Sequence, residues 1–128
     1  MSKEKTNKYY LEENFNCAET ILLLSIEEYE LPVKKDQVRI LKGFGGGMYK
    51  ERTCGVVTGG IAVLSLLYDS EHLKNKVIKF QDLVQEHFQS LDCDKIKTSH
   101  RENCIRCAGV INDAFTILRS IINEKEEA

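Results

Sequence analysis

Five cysteines, at positions 17, 54, 93, 104 and 107 of a 128-residue chain, are the residues whose type and spacing could do chemistry. Cys17 follows Asn16 and Cys54 follows Thr53, both capping residue types that stand just ahead of an apolar run. A helix opening there turns unpaired amide N–H groups and the positive end of its dipole toward the sulfur, which favours thiolate over thiol. The thiolate is the nucleophile of disulfide exchange and the form that ligates a metal. Cys104 and Cys107 form a Cys-x-x-Cys pair on one face of the expected last helix, suited to a dithiol couple or to half of a metal site. No second such pair completes a zinc site, so Cys17, Cys54 and Cys93 would have to converge from separate segments. Cys107 also suits a plain core position, and Cys104 lies nearer the solvent edge. Cys93, between Asp92 and Asp94, sits among acids that raise its pKa; this suits a resolving or metal-binding thiol better than an independently activated nucleophile.

Other candidates carry less. His100 precedes Cys104 by four residues and Cys107 by seven, so it could add a ligand, although an exposed first-turn histidine is the simpler reading. His87 falls on an apolar stripe and reads as a core residue, and His72 carries no signal. Gly43-Phe44-Gly45-Gly46-Gly47 could cradle a phosphate, but no Gly-Lys-Ser/Thr follows and no strand precedes it. A tight, close-packed turn is the better reading. Gly45, Gly46 and Gly47, with Gly59 and Gly60, could give room to a bound group or to another backbone. The carboxylates read as solvated helix faces.

The elements that must position these residues are helical. Asn16-Cys17-Ala18-Glu19 fits a capping box, and the helix it opens runs to Pro32. An earlier helix begins near Thr6, and a short one spans 34–42. A helix over about 54–68 is apolar nearly all round and should be central. Ser70 caps a fourth long segment, followed by a charged loop with Cys93. Ser99-His100-Arg101-Glu102 reads as a second capping box, opening a last helix with Cys107, Ile111, Ala114, Leu118 and Ile121 inward. The expectation is an all-α, compact bundle of about five helices, a single domain over 1–128 with its core at about 6–122.

Composition sets the context. Apolar residues make up 42% and charged residues 30% of the chain, a globular balance with no need of disulfide staples. An odd cysteine count cannot pair fully within one chain. Net charge is −2, giving no global case for nucleic acid or an anionic membrane. The apolar run from Val56 to Leu67 is shorter than the ~20 residues a bilayer needs, and the polar N-terminus shows no secretion signal. A cytoplasmic setting is expected.

The segments Asn16-Cys17-Ala18-Glu19 and Thr53-Cys54-Gly55-Val56-Val57-Thr58-Gly59-Gly60, followed by cysteines at 93 and 107, resemble a family of redox-active proteins named for its cysteine pattern, C_GCAxxG_C_C. The second segment is similar to the family's Cys-Gly-Ala-x-x-Gly motif, with Val56 in place of alanine, and the helix from Cys107 resembles its last cysteine helix. The resemblance runs from about residue 8 to 122. It implies a small helical domain with four signature cysteines, Cys17, Cys54, Cys93 and Cys107, and leaves Cys104 as an extra. These four would face one another across a pocket, either cycling between dithiol and disulfide or holding an iron–sulfur cluster or another thiophilic metal. A non-enzymatic metal-binding module and a helical interaction domain with buried structural cysteines are the alternatives. The partners expected are a redox protein or a small thiol, with self-association as a homo-oligomer also open, and neither nucleic acid nor membrane.

Overall fold

The computed structural model describes residues 2–100 and 107–123. Six α-helices account for most of them: α1 (Ser2–Thr6), α2 (Cys17–Tyr29), α3 (Gly55–Leu67), α4 (Ser70–Phe88), α5 (Cys93–His100) and α6 (Ala108–Ile122). The wider turns of Asn7–Glu12 continue α1, and a 3-10 segment, Lys35–Phe44, follows α2. The class is all-α, as the periodicity indicates. Among the described residues the only extended pairing is a single antiparallel bridge between Thr53 and Asp92.

α2 forms for reasons visible in its first four residues. The Asn16 side chain accepts the Glu19 N–H at 2.8 Å, and the Glu19 carboxylate accepts the Asn16 N–H at 2.9 Å. This reciprocal box satisfies two amides that the first turn leaves without partners. The helix stops at Tyr29, where Glu30 turns left-handed, and Pro32 cannot continue it. Every residue from Ala18 to Ser25 is buried, so α2 is as central as the expected α3.

α2 and α3 touch through small residues. A Cβ on Gly59 would stand 2.6 Å from the Ala18 carbonyl oxygen, and one on Gly55 would stand 2.9 Å from the Ala18 amide nitrogen and 3.1 Å from the Cys17 Cβ. Gly55 and Gly59 are one helical turn apart, so together they form a seam on which the start of α2 lies. On the other side, Gly60 receives the ring of Phe80, which with Val84 and Phe88 makes the buried stripe of α4. α6 packs against α3 and α4 through Val110, Ile111, Ala114, Phe115, Leu118 and Ile121. α1 is pinned to α6 by the fully buried Thr6, whose hydroxyl donates to the Asn112 side chain at 2.6 Å.

Several local expectations are corrected. α3 is capped by Cys54 itself, because Thr53 is taken up in the bridge to Asp92. α4 is capped by Asp69, whose carboxylate accepts the His72 N–H at 3.1 Å, and Ser70 is its first residue. The charged segment around Cys93 is helical: Ile96, 1% exposed, supplies its inward face while Asp94 and Lys95 face water. Ser99 therefore lies in the last turn of α5 and opens no helix, while Arg101, Glu102 and Cys104 lie outside the described residues. His87 is no core residue; it stands at the surface with Nε2 3.2 Å from Asp113 Oδ2, and Phe88 takes the buried place. No helix among the described residues is long and apolar enough to cross a membrane.

Candidate functional site

Each of the four described cysteines stands at a helix start. Cys17 is the first residue of α2 and Cys93 the first of α5, while Cys54 and Cys107 are the N-caps of α3 and α6. The glycine seam sets the starts of α2 and α3 side by side, which brings Cys17 to Cys54. The bridge does the same for the next pair. Cys54 N–H donates to the Leu91 carbonyl at 2.7 Å and Cys93 N–H donates to the Arg52 carbonyl, so the two cysteines flank the Thr53–Asp92 pairing. Cys107 is fixed from a third direction, its N–H donating to the buried Tyr10 hydroxyl at 3.3 Å. Of the groups that act on the Cys17 thiol, the neighbouring Cys107 thiol acts most strongly.

The electrostatics follow from this crowding. Cys17 is raised well above the ordinary thiol range, first by the Cys107 thiol and then by burial, with Cys54 and Cys93 adding to it. Burial pushes Cys54 up to about 12; the amides of Val56 and Gly55 pull it down, and Cys93 and Cys107 push it up. Burial also raises Cys93, against the cation of Lys97 and with the carboxylates of Glu51 and Asp94. The expected thiolate character at helix starts is thus overturned for Cys17 and Cys54. The helix-start amides are present, but desolvation and three neighbouring sulfurs outweigh them. That the sulfurs act on one another is itself the mark of a cluster.

Cys54 is buried, and Cys17, Cys93 and Cys107 are half-buried residues, with the Cys17 thiol itself turned away from water. Around them runs a strap, residues 35–52, made of the 3-10 segment and the glycine turn. The Asn16 side-chain amide donates to the Leu41 carbonyl at 3.3 Å and to that of Lys42 at 3.0 Å, and Gly45 lies against the same side chain. Gly47 lies against the Arg52 backbone and the Cys93 Cβ. Gly46 has open space at its Cα, and the space at Gly59 is filled by Ala18. Gly46, Gly47, Met48 and Tyr49 are all left-handed, at φ between 59° and 63°, a run that costs the two non-glycine residues about 1–2 kcal/mol each.

Among the described residues no three histidine, cysteine or acidic side chains are arranged to hold one metal ion. His100 closes α5, its ring edge-on to Phe88 at 5.0 Å, and with His87, Ser90 and Asp94 it lines a cleft of about 530 Å³ that none of the four described cysteines lines. Three participants escaped the sequence reading. Tyr10, Leu91 and the Arg52 carbonyl hold cysteines through contacts far apart in the chain, and no local signal marks them. A fourth, the Arg39–Glu19 pair at 3.3 Å, had a partial signal in the capping box, since the buried Glu19 needs a counter-charge.

The C_GCAxxG_C_C family, described as "Putative redox-active protein (C_GCAxxG_C_C)", matches residues 15–121. No curated protein and no solved structure matches the chain. The match takes in every helix from α2 to α6 and all four clustered cysteines, and the chain belongs to the C_GCAxxG_C_C family.

Proposed function

We propose that this is a cysteine-based redox or electron-transfer protein of the cytoplasm whose working couple is Cys17 and Cys107. The closeness of these two thiols carries the reading, because they stand at the starts of α2 and α6 and Cys107 is the strongest influence on Cys17. In the reducing direction, one thiol loses its proton and attacks a sulfur of a partner disulfide, forming a mixed disulfide and releasing the first partner thiolate. The second cysteine then attacks its neighbour's sulfur, closing Cys17–Cys107 and releasing the second partner thiolate. Two electrons pass to the partner, and the two protons of the dithiol end on the partner's thiols. Cys54 and Cys93 help to enclose the pair. A redox protein or a small thiol would return the electrons.

A second reading, a thiolate-held metal or iron–sulfur cluster, is favoured by the convergence of four cysteine-bearing helix starts. A soft cation would displace the protons of the raised thiols to solvent and supply the positive charge that offsets the thiolates. Cys17, Cys54, Cys93 and Cys107 would hold it, after the sulfurs close in from their present arrangement.

The test is anaerobic purification, with visible absorbance and iron, zinc and sulfide content, then thiol counting before and after a mild oxidant. The dithiol reading expects a colourless protein that loses two thiols, with Cys17 linked to Cys107 in the peptide map. Cys17→Ser and Cys107→Ser should each abolish that loss. A coloured or metal-bearing protein that bleaches in Cys54→Ser moves the assignment to the second reading. A colourless, metal-free protein whose thiols resist oxidation would sink both.

A further inference from the structure

The strap over the thiols carries an unusual surface. Residues 34–52 hold six basic and two acidic side chains in a chain whose net charge is −2. Two of the cations are spoken for: Lys35 reaches Glu13 at 2.7 Å, and Arg39 reaches Glu19 while stacking on the Phe15 ring. Lys42, Lys50 and Arg52 are exposed and, among the described residues, pair with no carboxylate. The same stretch turns three large apolar side chains to water, Ile40 at 80%, Tyr49 at 75% and Met48 at 41% exposure. Packing within the chain explains none of these exposures. Met48 and Tyr49 moreover sit on left-handed backbone, a conformation that costs stability.

We infer that the 40–52 stretch is a docking surface for an acidic redox protein, with Ile40, Met48 and Tyr49 as its apolar anchors and Lys42, Lys50 and Arg52 as a cationic rim. An apolar centre with a charged rim is the common anatomy of a protein interface, and tyrosine and arginine are enriched among its strongest contacts. Charge complementarity selects the partner's sign, and a negative surface would be steered to this face of an otherwise acidic chain. Position supplies the reason. The strap is bonded to Asn16, the residue before Cys17, and lies against Cys93, so a partner seated on it meets the thiol cluster. The inference rests on the dithiol reading for its purpose, but its binding step can be measured without it.

Two cyclic peptides test it, each closed by one disulfide and carrying a leucine, one flanked by glutamates and the other by lysines. Fluorescence anisotropy on serine-for-cysteine versions reads docking alone; thiol release from the disulfide versions, beside neutral hydroxyethyl disulfide, reads exchange. Low ionic strength should give the acidic peptide about tenfold tighter binding and faster reduction than the basic one. That preference should collapse at about 0.5 M salt. The triple variant Lys42→Glu, Lys50→Glu, Arg52→Glu, all at exposed positions, should reverse it. If hydroxyethyl disulfide is reduced but the peptides bind and react alike, the docking inference is overturned and the dithiol reading stands. Charge-dependent binding with no disulfide reduced would overturn the dithiol reading and keep the surface. An oligonucleotide bound more tightly than the acidic peptide would overturn the assignment to a protein partner.

Discussion

The seam between α2 and α3 and the strap at residues 35–52 border the same four cysteines, and they are built on opposite terms. At the seam backbone lies against backbone and Cβ atoms: Gly55 and Gly59 admit Ala18 and Cys17 with no space left over. In the strap, Val38 and Leu41 reach the core, but Ile40, Met48 and Tyr49 point to water, two non-glycine residues sit left-handed in succession, and polar bonds to Asn16 and Cys93 tie it to the cysteines. The seam fixes where two sulfurs are. The strap governs what can reach them. A rigid half and an exposed half are what a site needs if it must hold thiols in register and still meet a partner.

The comparison breaks most visibly through its glycines. Gly59→Ala puts a methyl 2.6 Å from a carbonyl oxygen that cannot move without parting the two helices, and a loss of about 3 kcal/mol is expected. Gly43→Ala, in the strap, meets nothing within 4 Å and should change stability by less than about 0.5 kcal/mol. Urea midpoints of the two variants decide it. Equal midpoints would mean that the seam yields, and Cys17 would then not be held against Cys54.

The second test uses pH. Burial lifts Cys54 to about 12, so the folded state keeps its proton where the unfolded chain gives it up. Its contribution to stability is complete below the unfolded value, about 9, and drains as pH rises from there toward the folded value. The slope approaches about 1.4 kcal/mol per pH unit, so about 2 kcal/mol should be gone by about pH 10.5. Tyr9 is also raised to about 12, mainly by burial, and slopes the same way. The difference between wild type and Cys54→Ala isolates the cysteine. Parallel stability curves for the two proteins would show that Cys54 is not desolvated.

Asn16 joins the two regions and should respond on an intermediate scale. Asn16→Ala removes the cap of α2 and both bonds to the strap, at about 1–2 kcal/mol. Hydrogen exchange should then rise at Glu19, whose amide loses its acceptor, and through residues 41–45. Faster exchange at Glu19 alone would mean that the strap is held by other means.

What was legible in the sequence divides along the same line. The capping box at Asn16 and Glu19 is local chemistry, and it is present as read. So is the apolar helix behind Cys54, although its burial is not all-round: Ser65 and Leu66 near its end face water. The helix at Cys93 was hidden. Asp92-Cys93-Asp94-Lys95 reads as loop, and what starts the helix is pairing with Arg52 and Cys54, forty residues away in the chain. The pKa directions failed for a related reason. A helix start is visible in one segment, whereas three sulfurs from three other segments are not. His87 and Phe88 show how narrowly such readings turn: a spacing of four from Val84 buries Phe88, where a spacing of three had pointed to His87.

Tyr49→Gly sharpens the contrast with the smallest change in free energy. Tyr49 is 75% exposed at φ 62°, so glycine loses little packing and relieves left-handed backbone. The relief is about 1–2 kcal/mol, and the extra freedom of an unfolded glycine returns about 0.5–1 of it. A net gain of about 0.5 kcal/mol is expected in the urea midpoint. Docking should move the other way, with the acidic peptide bound several-fold more weakly, because the anchor is gone. At the seam a substitution that harms stability also disorganises the thiols, so the two readouts fall together. In the strap they should part, stability rising as binding falls, and that sign difference separates a surface shaped for a partner from one shaped by the fold. A variant that gains stability and keeps its affinity would return Tyr49 to the ordinary exposed residues.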